Sequence, residues 1–296
     1  MPATSASPGL FSGLWIPLIT PFRRGAVDHA ALHALTARLR GSGIAGFVAC
    51  GSTGEAPALD PEEQLGVLDT VLQAARGLPV LMGVSGYHLP SMLAWVRLLG
   101  RRPIAGLLVP APAYVRPAQQ GLLHWFGAIA DASSVPLVLY DIPARTGAHL
   151  ATATLLALAD HPRIAAVKDC GGDPAKTQAV VADGRLQVLA GDDAQIFATA
   201  ALGGAGAIAA SAHLHTAAFV RVLHEVAQGR LDPARSEWQR LLPLVDALFA
   251  EPNPAGFKFL LSRDGSLCNE LRAPMTPASP ALQQRLLSLE QTLSLP

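Results

Sequence analysis

In R-I-A-A-V-K-D-C-G-G, residues 163–172, a short apolar run with β-branched ends (Ile164, Val167) reads as a buried strand. Lys168 closes the run and a Gly-Gly turn follows. Lysine is scarce: Lys168, Lys176 and Lys258 stand among 22 lysines and arginines, so arginine is the usual surface cation. Arginine stays charged, whereas a buried lysine ammonium can lose its proton and become an amine nucleophile. The plainer alternative is a lysine that snorkels to solvent from a strand end.

Runs of the same kind recur on both sides. Strands are predicted near 14–20, 46–50, 79–84, 106–110, 137–141, 164–168, 187–190 and 206–210. Amphipathic patterns between them predict helices over 28–41, 61–76, 90–101, 117–131, 151–160, 174–182, 194–202 and 213–228. Proline opens several of these, where no N–H bond is lost, and in D-P-E-E (60–63) Asp60 is the expected N-cap. Eight strands alternating with eight helices, one unit per roughly 25–35 residues, is the rhythm of an α/β fold of the (β/α)8 TIM-barrel type. A doubly wound open sheet is the rival, disfavoured because no G-x-G-x-x-G follows the first strand. After Arg230 the strands stop. Helices are expected over 232–249, 256–261 and 280–293, joined by E-P-N-P (251–254) and R-A-P-M-T-P-A-S-P (272–280). The expected division is a flexible lead-in over 1–12, the barrel over 13–229, and a helical extension over 230–296 packed on the barrel.

Composition bounds the function. The 296 residues are 50% hydrophobic with zero formal net charge, enough for a large core and without a basic footprint for nucleic acid. No run of about 18 apolar residues predicts a membrane span. The start, M-P-A-T-S-A-S-P-G, has neither the basic nor the apolar segment of a secretion signal. Three scattered cysteines (Cys50, Cys170, Cys268) argue against a disulfide framework and for a reducing compartment. A cytoplasmic protein handling small molecules, with no nucleic-acid or membrane partner, is the expectation.

In a barrel the active site lies at the C-terminal ends of the strands. The second strand ends in C-G-S-T-G-E (50–55), whose glycines leave backbone N–H groups and the Ser52 and Thr53 hydroxyls free to hold a small carboxylate. An ordinary tight turn is the alternative there. The fourth strand leads to Tyr114 in P-A-P-A-Y-V-R-P (110–117), and the fifth to Tyr140, Asp141, Arg145 and Thr146 in Y-D-I-P-A-R-T-G (140–147). A tyrosine beside a lysine can pass protons, since both reference pKa values lie near 10. An arginine on a loop can fork onto a carboxylate. Asp192 and Asp193 read as a helix cap before they read as metal ligands. His213 and His215 do not share a helix face, which argues against a metal site.

Taken in order, G-S-T-G-E (51–55), A-P-A-Y-V-R-P (111–117), Y-D-I-P-A-R-T-G (140–147), V-K-D (167–169), A-G-D-D-A (190–194) and G-G-A-G-A-I (203–208) resemble the class I pyruvate-dependent aldolase family, typified by dihydrodipicolinate synthase and N-acetylneuraminate lyase. N-P-A-G-F-K (253–258) and L-R-A-P-M-T-P (271–277) look like its C-terminal helices, so the resemblance runs from Gly13 onward. It implies a Schiff-base lyase in which Lys168 attacks the keto carbon of pyruvate. Tyr140 would shuttle protons, Thr53 would relay to it, and Tyr114 would be lent across a dimer interface. The Ser52 and Thr53 amides would hold the pyruvate carboxylate, with Gly191 and Ile208 also at the substrate. Arg145 resembles the synthase arginine that binds the carboxylate of aspartate semialdehyde, which implies formation of 4-hydroxy-tetrahydrodipicolinate on the route to diaminopimelate and lysine. A sister aldolase or dehydratase acting on a sugar acid or hydroxy-keto acid is the alternative, followed by a non-catalytic keto-acid-binding barrel.

The resemblance also implies no cofactor and no metal, and a homotetramer built as a dimer of dimers. Departures from the family pattern are Asp141 and His213 where asparagine is usual, Ala113 before the relay tyrosine, and Pro61 and Gln64 where lysine-inhibited members carry histidines. Weak or absent feedback by lysine is therefore expected.

Overall fold

The computed structural model describes residues 9–294. Eight parallel strands close into a barrel: β1 (Gly13–Pro17), β2 (Gly46–Ala49), β3 (Val80–Gly83), β4 (Gly106–Pro110), β5 (Leu137–Asp141), β6 (Ile164–Asp169), β7 (Gln187–Ala190) and β8 (Gly206–Ile208), with β8 returning to pair with β1. Around it lie α1 (His29–Arg40), α2 (Pro61–Ala75), α3 (Leu89–Leu99), α4 (Gln119–Ala132), α5 (Thr152–Leu158), α6 (Pro174–Asp183), α7 (Ile196–Ala201) and α8 (Thr216–Ala227). The predicted TIM barrel is the fold observed. Asp60 caps α2 as expected, completing a reciprocal capping box with Glu63. None of the helices among the described residues is long and apolar enough to cross a membrane.

Each strand is buried on both faces, which is why the strands read as apolar runs without alternation. One face meets the helices. The other fills the barrel, where Trp15, Val48, Leu81, Val138, Leu189 and Ile208 form an inner stack with Tyr140 at its upper end. Phe11 is fully buried and packs 5.8 Å from Trp15, ring centre to ring centre, while its N–H donates to Gln187 Oε1 at 2.9 Å. Phe11, within the lead-in expected over 1–12, thus packs on the barrel floor. Residues 1–8 lie outside the described part.

One irregularity aims the lysine. Leu137 pairs with Ile164 but Val138 pairs with Ala166, so Ala165 is an extra residue in β6. Ile164 packs outward with the helices, whereas Ala166, two positions on, lies in the inner stack. The bulge rephases the strand, and Lys168 then points into the barrel mouth.

Some short elements were not predicted. Phe22–Arg23 and Ala26–Val27 form a two-residue hairpin whose Arg24 and Gly25 both have positive φ, and whose two turn N–H groups donate to the Glu270 carboxylate. A single helical turn, Pro143–Thr146, follows β5. β1 stops at Pro17 and α8 begins only at Thr216, because His213 sits in a preceding turn and His215 takes a left-handed conformation. After the barrel, α9 (Leu231–Leu248) packs on α8, and α11 (Pro280–Ser294) packs on α9 and on α10 (Ala255–Leu261).

Candidate active site

The register that pairs β5 with β6 sets Tyr140 directly beside Lys168. Lys168 Nζ lies 3.4 Å from the Tyr140 hydroxyl and 4.4 Å from its ring centre. Both side chains are buried, 5% and 6% exposed, at the floor of a cavity of about 240 Å³ in the C-terminal mouth of the barrel. Ser52, Thr53, Arg145, Gly191, Asp193 and Asn253 also line it. The snorkelling alternative for Lys168 does not describe this side chain.

Burial is the largest influence on Lys168 and pushes its ammonium down, whereas negative charge on Tyr140, Cys170 and Asp193 pushes it up wherever those groups are ionised. Burial drives Tyr140 upward against the opposing pull of Lys168, and drives the Cys170 thiol to about 12, so neither is an anion at neutral pH. Asp193 is the remaining countercharge. Burial raises it to about 6 even though its carboxylate accepts from the Ser211 N–H at 2.6 Å. Cys170, despite its place on the cavity wall, is a neutral thiol rather than a nucleophile.

Gly191 has a geometric reason to be glycine. A Cβ there would lie 2.6 Å from Lys168 Cγ and from Cys170 Sγ, so any side chain would displace the lysine stem. The G-S-T-G-E segment forms a 3-10 turn over Ser52–Gly54, flanked by Cys50 and Glu55 with positive φ. In such a turn successive side chains are rotated by about a third of a circle. Ser52, Thr53 and Tyr140 line the same cavity, and Thr53 Oγ1 accepts from Asn253 Nδ2 at 3.0 Å.

Arg145 sits on the single turn after β5, exposed at the cavity rim. Tyr114 does not reach the site within one chain. It is 90% exposed, with a φ of 73° and its N–H on Thr146 O at 3.2 Å. Ile208 also falls outside the cavity lining. Its fully buried side chain belongs to the inner stack, and the segment after β8 contributes Ala210 to the wall instead. Asn253, in the loop before α10, was missed, and the only sequence signal for it was the E-P-N-P segment.

The turn is held from behind by the C-terminal extension. Lys258, fully buried, pairs with Glu55 at 2.5 Å and donates to Glu270 O at 2.8 Å. The Arg272 N–H reaches Glu55 Oε2 at 3.1 Å while its guanidinium forks onto Glu63. Asp192 caps the turn after β7, as expected. His213 is structural: its Nδ1 hydrogen-bonds Ala210 O at 2.8 Å and its Nε2 accepts from the Ile19 N–H at 3.3 Å. His215 pairs instead with Glu290. A second, apolar cavity of about 340 Å³ adjoins the first, sharing Ser52, Tyr140, Ile142 and Arg145, and opens beside the exposed Tyr87.

Residues 10–293 match the dihydrodipicolinate synthetase family. The chain is 36% identical over 278 residues, 93% of its length and 97% of the relative's, to a protein of Clostridium acetobutylicum named 4-hydroxy-tetrahydrodipicolinate synthase 2. Dihydrodipicolinate synthase from Aquifex aeolicus superposes with a TM-score of 0.93 at 29% identity, covering 97% of this chain and 99% of that one. A structure described as the first monomeric dihydrodipicolinate synthase variant gives 0.92 at 26% identity, covering 97% and 98%. With its whole barrel and helical extension matched, the chain belongs to the dihydrodipicolinate synthetase family.

Proposed function

We propose that this protein condenses pyruvate with L-aspartate 4-semialdehyde to give 4-hydroxy-tetrahydrodipicolinate, through an imine on Lys168. The observation that carries this reading is the buried pair Lys168–Tyr140, 3.4 Å apart at the floor of a small cavity with an arginine at its rim. The amine form of Lys168 adds to the keto carbon of pyruvate, and loss of water leaves the imine. The protonated imine then withdraws electrons from the methyl group, which gives up a proton and becomes an enamine. That carbon attacks the aldehyde, and the new alkoxide takes a proton. The substrate's own amine finally displaces Lys168 and closes the ring. Because the imine is the electron sink, the chemistry calls for no cofactor or metal.

Tyr140, 3.4 Å from Lys168 Nζ, would exchange protons at the imine nitrogen and at the new hydroxyl, with the Ser52 and Thr53 hydroxyls in the same cavity and Thr53 as the relay. The amides of Ser52 and Thr53 at the open turn suit the pyruvate carboxylate, and Asn253 fixes the orientation of Thr53. Arg145 can fork onto the carboxylate of the aldehyde. Tyr114 stands too far out to serve its own site and would act in a neighbouring subunit, within a dimer and a tetramer of two such dimers. The apolar second cavity and the exposed Tyr87 support an interface on that side. The reading places the protein in the cytoplasm, where both small substrates arise.

The test is a panel of aldehydes offered with pyruvate. Aspartate semialdehyde should be turned over fastest, and Arg145→Ala should weaken its use by about 100-fold in kcat/KM, the scale of a lost charge-assisted pair. Faster turnover of a sugar-derived aldehyde, or an unaffected Arg145→Ala, would move the protein to a sister aldolase of the same chemistry.

A further inference from the structure

We propose that Lys176 is a positioning residue for this reaction: its buried ammonium, held between Asp141 and Asp169, fixes the two strand ends that present Tyr140 and Lys168 to each other. The inference rests on the Schiff-base reading and adds to it a residue outside the cavity. Tyr140 pairs with Lys168 across β5 and β6, and the next rung pairs Asp141 with Asp169. Inner and outer faces alternate, so the two carboxylates emerge on the side away from the cavity, toward α6. There Lys176, in the first turn of α6 and 5% exposed, donates to Asp141 Oδ2 and lies 3.8 Å from Asp169 Oδ1.

The remaining oxygens are committed as well. Asp141 Oδ1 accepts from the Leu150 N–H at 3.0 Å, Asp169 Oδ2 from the Thr177 hydroxyl at 2.5 Å, and Asp169 Oδ1 from the Gly171 N–H at 2.8 Å. The cluster thus ties β5, β6, α6 and the loop before α5 to one ammonium. Gly171 supplies an independent sign that the space is built for that group. A Cβ at Gly171 would collide with Lys176 Nζ and come within 2.8 Å of Asp141 Oδ2 and 3.1 Å of Asp169 Oδ1. A buried ion pair adds little stability over well-packed apolar groups of the same size. What it adds is a fixed geometry, and proton transfer between a lysine and a tyrosine depends on geometry more steeply than folding does.

The experiment compares Lys176→Met, Lys176→Arg, the double variant Asp141→Asn/Lys176→Met, and Gly171→Ala. Turnover of pyruvate with aspartate semialdehyde is measured per site that borohydride can trap as the pyruvate adduct, so unfolded protein drops out of the ratio. Lys176→Met and the double variant should lose about tenfold or more in turnover per trappable site, while KM for pyruvate changes by less than about twofold. Gly171→Ala should fall in the same direction by about threefold, and Lys176→Arg, which keeps the charge but brings a bulkier head group into the same tight space, should retain more turnover than Lys176→Met. Should Lys176→Met fail to fold, the double variant and Gly171→Ala carry the comparison. Turnover per trappable site within about twofold of the parent in every folded variant would overturn the proposal. A parent that forms no adduct at Lys168 would overturn the Schiff-base reading itself, a separate result.

Discussion

At the scale of single residues, Ser52 and Thr53 set two adjacent hydroxyls in the cavity that holds Tyr140, and Thr53 Oγ1 accepts from Asn253 Nδ2, which leaves its own proton free to donate. On the proposed reading Thr53→Val should cut turnover by about 100-fold, the usual reach of a proton-transfer group, whereas Thr53→Ser, which keeps the hydroxyl, should stay within about threefold. A Thr53→Val loss no larger than that of Thr53→Ser would remove Thr53 from the proton relay. The sequence pointed to both positions but could not separate them, because the direction of each side chain is set by a 3-10 turn visible only in the fold. Lys168 was legible for the opposite reason: in a chain of arginines, a lysine closing an apolar strand stands out. Its charge state was not legible, since it depends on burial and on Tyr140 and Asp193, which arrive from other segments of the chain.

At the scale of elements, His213 joins the segment after β1 to the segment after β8. Burial lowers its pKa from 6.5 to about 4, and the ring nitrogen that accepts from the Ile19 N–H is the unprotonated one. The folded value lies below the unfolded one. Its contribution is thus fully present above about pH 6.5 and is lost as the pH falls toward 4, an acid-side loss of about 3 kcal/mol from this one group. His213→Asn should flatten the stability profile between pH 7 and 4, as read by urea midpoints; an unchanged slope would assign the acid sensitivity elsewhere. The barrel strands were read within a few residues because burial on both faces leaves long apolar runs. The hairpin at Phe22–Val27 and the turn at Pro143–Thr146 are too short to show a period, so they were not seen. The bulge at Ala165 left no trace in an Ile-Ala-Ala-Val run, although it decides which way Lys168 points.

At the scale of the molecule, the proposed reading has the exposed Tyr114 complete the site of a neighbouring subunit. Tyr114→Phe and Lys168→Ala should each be nearly inactive alone, yet a mixture that exchanges subunits should regain activity, because a hybrid dimer contains one site with both native groups. No recovery after proven exchange would confine Tyr114 to a structural role. Gln64, whose amide donates to Ala56 O and Leu59 O, and Pro61, at the first position of α2, offer no cationic or imidazole contact to an added amino acid. Turnover should accordingly hold at millimolar lysine, and a saturable fall would contradict that.

The central claim is a covalent bond at one nitrogen. Borohydride reduction of the protein with pyruvate, followed by intact-mass and peptide analysis, should add one reduced pyruvate per chain at Lys168 and none in Lys168→Ala. An adduct on another residue, or no mass change while turnover continues, would contradict the account.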